Sequence, residues 1–268
     1  MGLIRFPGHK IIETFFTINS IHKRIIIQYS KNLKYKENNM QKILEMVKLQ
    51  QALNDATNGE GWEDGLTKNG KIIDWKRCIY MESAELIDSF AWKHWKAITK
   101  APDWDNIKVE TIDIWHFVLS LLLQEYKRNN LGSLKDLAEY ICAQKAYKSF
   151  STERASMQDE ALYEIIKMVE AMMFDVLNPQ ELNLEHFVNS FFTMALHCGV
   201  DLNTLYTLYI GKNVLNRFRQ DNGYKEGSYI KVWNGKEDNV VMMEIMDNNP
   251  SYGVDELYVG LNAVYKKL

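Results

Sequence analysis

The sequence predicts an all-α fold, a multi-helix bundle, and three observations carry that expectation. Only four prolines and fourteen glycines interrupt 268 residues, so long segments can propagate as helix. Apolar residues recur at three- and four-residue spacing through much of the chain, as one buried helix face requires. Strict alternation of polar and apolar residues, the mark of a half-buried strand, is scarce.

Taken in order, Ile43, Met46, Val47, Leu49 and Leu53 place an amphipathic helix from Met40 onward. Asn58, Gly59, Gly61 and Gly65 mark a loop. A helix then opens at Trp75 and is expected to run to about Lys96. Pro102 ends the next connection, and a long helix follows from Trp104 to Lys127. One further helix is predicted over Leu131–Phe150, with a polar break at Ser151–Gln158. Segments 159–175 and 184–198 read as helices divided by Asn178-Pro179, and 202–220 as another. Gly223, Gly227 and Gly235 then punctuate a polar, aromatic loop before a last helix near 237–247. The absence of a fixed-period repeat argues against a solenoid.

Hydrophobic residues at 46% and charged residues at 25% are ordinary for a globular protein. A net charge of -3 favours neither a nucleic-acid nor a membrane partner. Cys78, Cys142 and Cys198 are odd in number and scattered, which fits a reducing cytoplasm better than a disulfide framework. The longest apolar stretch, Phe117 to Leu123, is about a third of the roughly 20 residues a spanning helix needs. No secretory signal is expected, because the basic N-terminus lacks a continuous hydrophobic segment.

Residues 1–39 stand apart. Seven basic residues against Glu13 and Glu37 give +5, which leaves -8 of the net -3 for residues 40–268. A second methionine, Met40, directly precedes the first amphipathic segment. The expectation is a peripheral basic extension or a start placed too early, ahead of a single domain over 40–268.

Two helices carry the chemistry. Glu82 and Glu85 lie three residues apart, and the spacing recurs in Glu110 and Asp113. At 100° per residue each pair sits about 60° apart on one helix face, one turn above the next. Ile79, Tyr80, Met81, Leu86 and Ile87 surround the first pair, and Ile112, Ile114, Trp115 and Phe117 the second. A single such pair would be read as solvated helix surface, since Glu is a common helix former. Two pairs in apolar helices are costly unless a divalent cation offsets desolvation and mutual repulsion. Hard carboxylate oxygens suit magnesium, which completes its shell with waters and substrate phosphates. A carboxylate-bridged di-iron bundle needs Glu-x-x-His on two helices, and only Asp113-x-x-His116 offers histidine at that spacing.

Downstream, Lys212, Asn216 and Arg219 fall at i, i+4 and i+7, one helix face able to meet a polyphosphate. Lys225, Lys231 and Lys236 follow on a glycine-rich stretch suited to closing over a charged ligand. Trp62, Trp75, Trp104, Trp115 and Phe117, and Met168, Met172 and Met173, read as packing residues.

The motif Glu82-x-x-Glu85 followed after 24 residues by Glu110-x-x-Asp113 resembles the ExxE…ExxD signature of all-α nucleoside triphosphate pyrophosphatases, which MazG-like enzymes and dCTP pyrophosphatases share. Three further stretches resemble dimeric all-α dUTPases. Trp92-Lys93-His94-Trp95-Lys96 is similar to their Trp-Lys-rich segment, and Gln50-Gln51-Ala52-Leu53-Asn54 to their uracil-contacting helix. Tyr209–Lys225, continuing through Trp233–Asn239, is very similar to their phosphate-binding region. The resemblance covers about residues 40–250.

It implies magnesium-dependent hydrolysis of dUTP, and of dUDP, to dUMP, limiting uracil in DNA and supplying dUMP for thymidylate synthesis. Attack at the β-phosphorus of dUTP, with release of pyrophosphate, is implied too. Glu82, Glu85, Glu110 and Asp113 would hold two or three Mg2+, with Glu85 positioning the attacking water and taking its proton. Gln51 and Asn54 would read the uracil edge, with Gln50 as substitute for Gln51, and His116 would lie beside the nucleoside. Lys93, Lys96, Lys212, Asn216, Arg219, Tyr224, Lys225 and Asn239 would hold phosphates or close the site, within a mobile phosphate-binding segment at about 211–239. A cytoplasmic homodimer is also implied. The alternatives are a related pyrophosphatase acting on dCTP or a modified nucleotide, and a nucleotide-sensing regulatory protein.

Overall fold

A computed structural model describes residues 36–96, 99–155 and 162–268. Most of the basic N-terminal extension lies outside these residues, as do positions 159–161 of the helix expected over 159–175. Two compact units divide between Gln41 and Lys42, and the second, Lys42–Leu268, holds all that follows except residues 36–41 of the first helix.

Helix α1 covers 36–58 and gives Ile43, Met46 and Val47 to the core. A 3-10 turn, Trp62–Asp64, leads to α2, Trp75–Ser89, capped by the Asp74 side chain, which accepts from the Arg77 amide. The central element is α3, Trp104–Arg128, which is buried on nearly every side after its Asp103 cap. An apolar helix enclosed this way must be wrapped by neighbours, and α2 packs extensively along it. Trp115 of α3 stacks on Phe191 at 4.8 Å and tilts against Phe192 at 5.4 Å. Each such aromatic contact adds about 0.5–1.5 kcal/mol beyond its buried area.

Helices α4, Leu134–Ala143, α5, Lys145–Thr152, α6, Leu162–Leu177, and α7, Leu184–His197, complete the main bundle. Helix α8, Leu202–Asp221, joins two cores. Leu202, Leu205 and Tyr209 belong to the main one, and Val214, Leu215 and Phe218 to a second. A two-stranded hairpin, β1 Val232–Trp233 and β2 Lys236–Glu237, and helices α9, Asp238–Asn248, and α10, Val254–Tyr265, finish the second core. Helix α9 lies so close over α8 that a Cβ on Gly211 would meet the Met246 sulfur at 2.5 Å. That close approach is what glycine permits here.

Four expected elements change. The helix opening at Trp75 stops at Ser89 rather than Lys96. Ala91 takes a left-handed φ of 54°, and Trp92 and Trp95 beyond it are exposed, so no apolar face there extends the helix. The single helix expected over Leu131–Phe150 is two. Gln144 is extended, and Asn189 of α7 clamps the break by accepting from the Ala146 amide at 2.7 Å and donating to Gln144 Oε1 at 2.9 Å. The loop after Asp221 contains a hairpin, whose Asn234-Gly235 turn has φ 51° and 84° and so matches strand twist. The helix near 237–247 is not the last: α10 follows, with the Gly253 amide donating to Glu256 and Leu257 and Leu261 buried.

Candidate active site

The packing of α2 on α3 brings the two acidic pairs to one place. Oxygens of Glu82, Glu110 and Asp113 all lie within 4.8 Å of one another. Glu110 is buried, Glu82 and Asp113 are half-buried, and Glu85 stands exposed at the edge of the same cleft. Desolvation, followed by the charges of Asp113, Glu110 and Glu85, pushes Glu82 up to about 8. Desolvation, then Asp113 and Glu85, pushes Glu110 up to about 7. Glu110 accepts from the Asn106 amide at 3.2 Å, and the same amide donates to Ser89 Oγ at 2.7 Å. An all-oxygen donor set this crowded fits a hard divalent cation, which supplies the charge the carboxylates lack.

Helices α8 and α9 and the segment between them supply the other wall of a cleft of about 560 Å³, with Lys212 and Arg219 from α8, Tyr224 and Lys231 from the connection and Asn239 from α9. Lys212 is buried, with Nζ 2.8 Å from Asp113 and 3.0 Å from Asn239 Oδ1. Arg219 binds Asp238 side-on, Nε to Oδ2 at 2.8 Å and Nη2 to Oδ1 at 2.7 Å, and its Nη1 donates to Asn216 at 3.1 Å. Its guanidinium sits 5.8 Å from the Tyr224 ring centroid. The exposed Lys225 turns to α1, where it donates to the Thr57 carbonyl.

A second polar group lies deeper, between α1, α3 and α8. Gln50 and Asn54 share a face of α1 and are both buried. Gln50 Nε2 donates to Asn54 Oδ1 at 2.9 Å and to Ser120 Oγ at 3.0 Å. With the amide so oriented, Oε1 is the acceptor, and it meets His116 Nδ1 at 2.7 Å and the Tyr209 hydroxyl at 2.9 Å. His116 therefore carries hydrogen on Nδ1. Its Nε2 is buried with no hydrogen-bond partner among the described residues. Burial, then Lys212, lowers His116 to about 3, so the ring is neutral. Tyr209 stacks on it at 4.2 Å.

Several expected residues lie elsewhere. Gln51, one position around α1, donates to Asp55 at 2.8 Å and Glu63 at 3.1 Å, away from the Gln50 network. Lys93 pairs with Asp88, and Lys96 is exposed; neither lines the cleft. Asn216 meets Arg219 rather than the cavity. Of the residues expected to pack, Trp62 and Trp115 are fully buried and Met172 nearly so, whereas Phe117 is half-buried and stacks on Trp75 at 6.0 Å.

Sequence reasoning missed Asn106 and Ser120, and gave no individual role to Asp238 or to Tyr229, whose hydroxyl donates to Asp238 at 2.8 Å. Asn106 stands four residues before Glu110 and Ser120 four after His116, so helical phase could have found both. Asp238 falls within the Trp233–Asn239 stretch that carries the resemblance, but no spacing in the sequence pairs it with Arg219.

A family model described as dUTPase matches residues 42–224, which takes in α1 from Lys42, both acidic pairs and all of α8. No curated protein matches the chain.

Proposed function

The chain belongs to the dUTPase family and is a dUTP diphosphatase, and from that premise we propose that hydrolysis takes place in the cleft between α2, α3 and α8, with magnesium. The observation that carries this reading is a single cleft lined by both signs of charge: Glu82, Glu85, Glu110 and Asp113 on one side and Lys212 and Arg219 on the other, with Lys212 paired to Asp113 where the two sides meet.

Glu82, Glu110 and Asp113 would hold the metal, with Glu85 completing the acidic wall at the solvent side. Magnesium bound there would neutralise carboxylates and phosphate oxygens and favour ionisation of the attacking water. Glu85, exposed and outside the tight cluster, would accept that water's proton. Lys212 would meet the phosphates from the buried side, and Arg219, ordered by four hydrogen bonds to Asp238, Asn216 and Asn239, from the other. Tyr224, Lys225 and Asn239 would border the closed complex.

The base would sit against Asn54 and His116, oriented by Gln50. His116 Nε2 is a buried acceptor, which suits the N3–H donor of uracil and not the N3 acceptor of cytosine. dUDP presents the same base and two phosphates, and would be cleaved as well. A magnesium-dependent homodimer in the cytoplasm, limiting uracil in DNA and supplying dUMP, completes the reading. Three free cysteines fit that compartment. No helix among the described residues is long and apolar enough to cross a membrane.

Calorimetric titration with magnesium tests the site directly. Wild type should bind the ion and Glu82→Ala should not. Equal binding by both proteins would remove Glu82 from the metal site.

A further inference from the structure

We propose that Asp238 is a positioning residue for dUTP hydrolysis, holding the Arg219 guanidinium in the orientation that faces the triphosphate cleft and acting on substrate only through it. The proposal rests on the reading of the cleft given above, and on residues beyond Tyr224, where the family match ends.

Asp238 opens α9 and is fully buried, while Arg219 lines the cleft and Asp238 does not. Both carboxylate oxygens are used: Oδ1 takes Arg219 Nη2 at 2.7 Å, and Oδ2 takes Nε at 2.8 Å and the Tyr229 hydroxyl at 2.8 Å. A side-on bidentate pair fixes the guanidinium plane as well as its place. Burial alone would raise the Asp238 carboxyl, yet the bonds from Arg219 and Tyr229 keep it lowered and ionised. The next residue, Asn239, meets Lys212 Nζ at 3.0 Å, so the first turn of α9 steadies Lys212 as well as Arg219.

Electrostatics alone makes the opposite prediction. Asp238 is an anion near a polyanion site, so removing its charge should tighten nucleotide binding. A positioning role predicts weaker binding despite the added net positive charge. A residue that only supports the fold predicts general loss, without regard to phosphate.

The test measures dUTP turnover by Asp238→Asn, Tyr229→Phe, Arg219→Gln and the Asp238→Asn/Arg219→Gln double variant. It adds equilibrium binding of deoxyuridine and thermal denaturation of each protein. Asp238→Asn should raise KM for dUTP by about tenfold or more, leave deoxyuridine binding unchanged and add nothing in the Arg219→Gln background. Tyr229→Phe, which keeps the ion pair, should shift KM the same way by less. A lower KM in Asp238→Asn would overturn the proposal, as would equal losses for dUTP and deoxyuridine. Additive losses in the double variant would overturn the positioning role while leaving the cleft reading intact. Wild-type KM in Arg219→Gln would overturn both.

Discussion

Lys212 Nζ lies 2.8 Å from the Asp113 carboxylate, with the two side chains 3% and 19% exposed. A buried ammonium against a carboxylate that itself belongs to a three-acid cluster is a coupled arrangement. The lysine offsets part of the charge that crowds Glu82 and Glu110, and both groups are lowered by it. The same cation faces the cleft into which the phosphates are proposed to enter.

Truncating Lys212 should therefore harm two properties together. Lys212→Met is expected to cut kcat/KM for dUTP by roughly a hundredfold, as loss of a buried charged contact of about 2–3 kcal/mol implies. It should also lower the metal-free Tm, since Asp113 loses its partner. Steady-state kinetics and calorimetry in EDTA check both effects.

Magnesium binding should strengthen as pH rises. Glu82 and Glu110 stand raised from 4.5 to about 8 and about 7, so the folded, metal-free protein holds protons that the unfolded chain has released. Stability from these groups is full below about pH 4.5 and is lost as pH climbs through 7 to 8. A cation must displace those protons below that range and need not above it. The metal-induced rise in Tm at fixed magnesium should be larger at pH 8.5 than at pH 6. Scanning calorimetry with magnesium and with EDTA measures the difference.

His116 has the opposite sign. Its ring is lowered from 6.5 to about 3, so its contribution is full above pH 6.5 and fades as pH falls toward 3. The expected slope approaches one proton, about 1.4 kcal/mol per pH unit. His116→Gln should flatten that part of the stability profile, as urea titrations at several pH values would show.

Gln50 and Gln51 should behave differently although they are adjacent. Gln50→Ala leaves His116 Nδ1 without its buried acceptor and removes one from Tyr209, which costs about 1–3 kcal/mol and should raise KM for dUTP. Gln51→Ala breaks half-buried bonds to Asp55 and Glu63 and should change KM by less than about threefold. Parallel kinetics on the two variants decide between them.

This pair also shows how far the sequence reached. Ile43, Val47, Gln50 and Asn54 follow one helical phase, so the buried glutamine is legible from apolar spacing, and the resemblance to the uracil-contacting helix names it beside Gln51. The acidic pairs were legible because i, i+3 spacing survives any tertiary arrangement of the helix that carries them. Other features depend on chain segments that meet only in the fold. Asn189 sets the break between α4 and α5 from 45 positions beyond Gln144. Asp238 meets Arg219 because α9 folds back over Gly211. The stop at Ser89 reflects what fails to pack on Trp92 and Trp95, which no propensity scale encodes.

Pyrophosphate release from dUTP, dCTP, dTTP and UTP in magnesium, repeated on Glu85→Ala, tests the central claim most directly. The account predicts strong preference for dUTP and loss of about a hundredfold or more in the variant. Preference for dCTP, or turnover by Glu85→Ala at the wild-type rate, would contradict it.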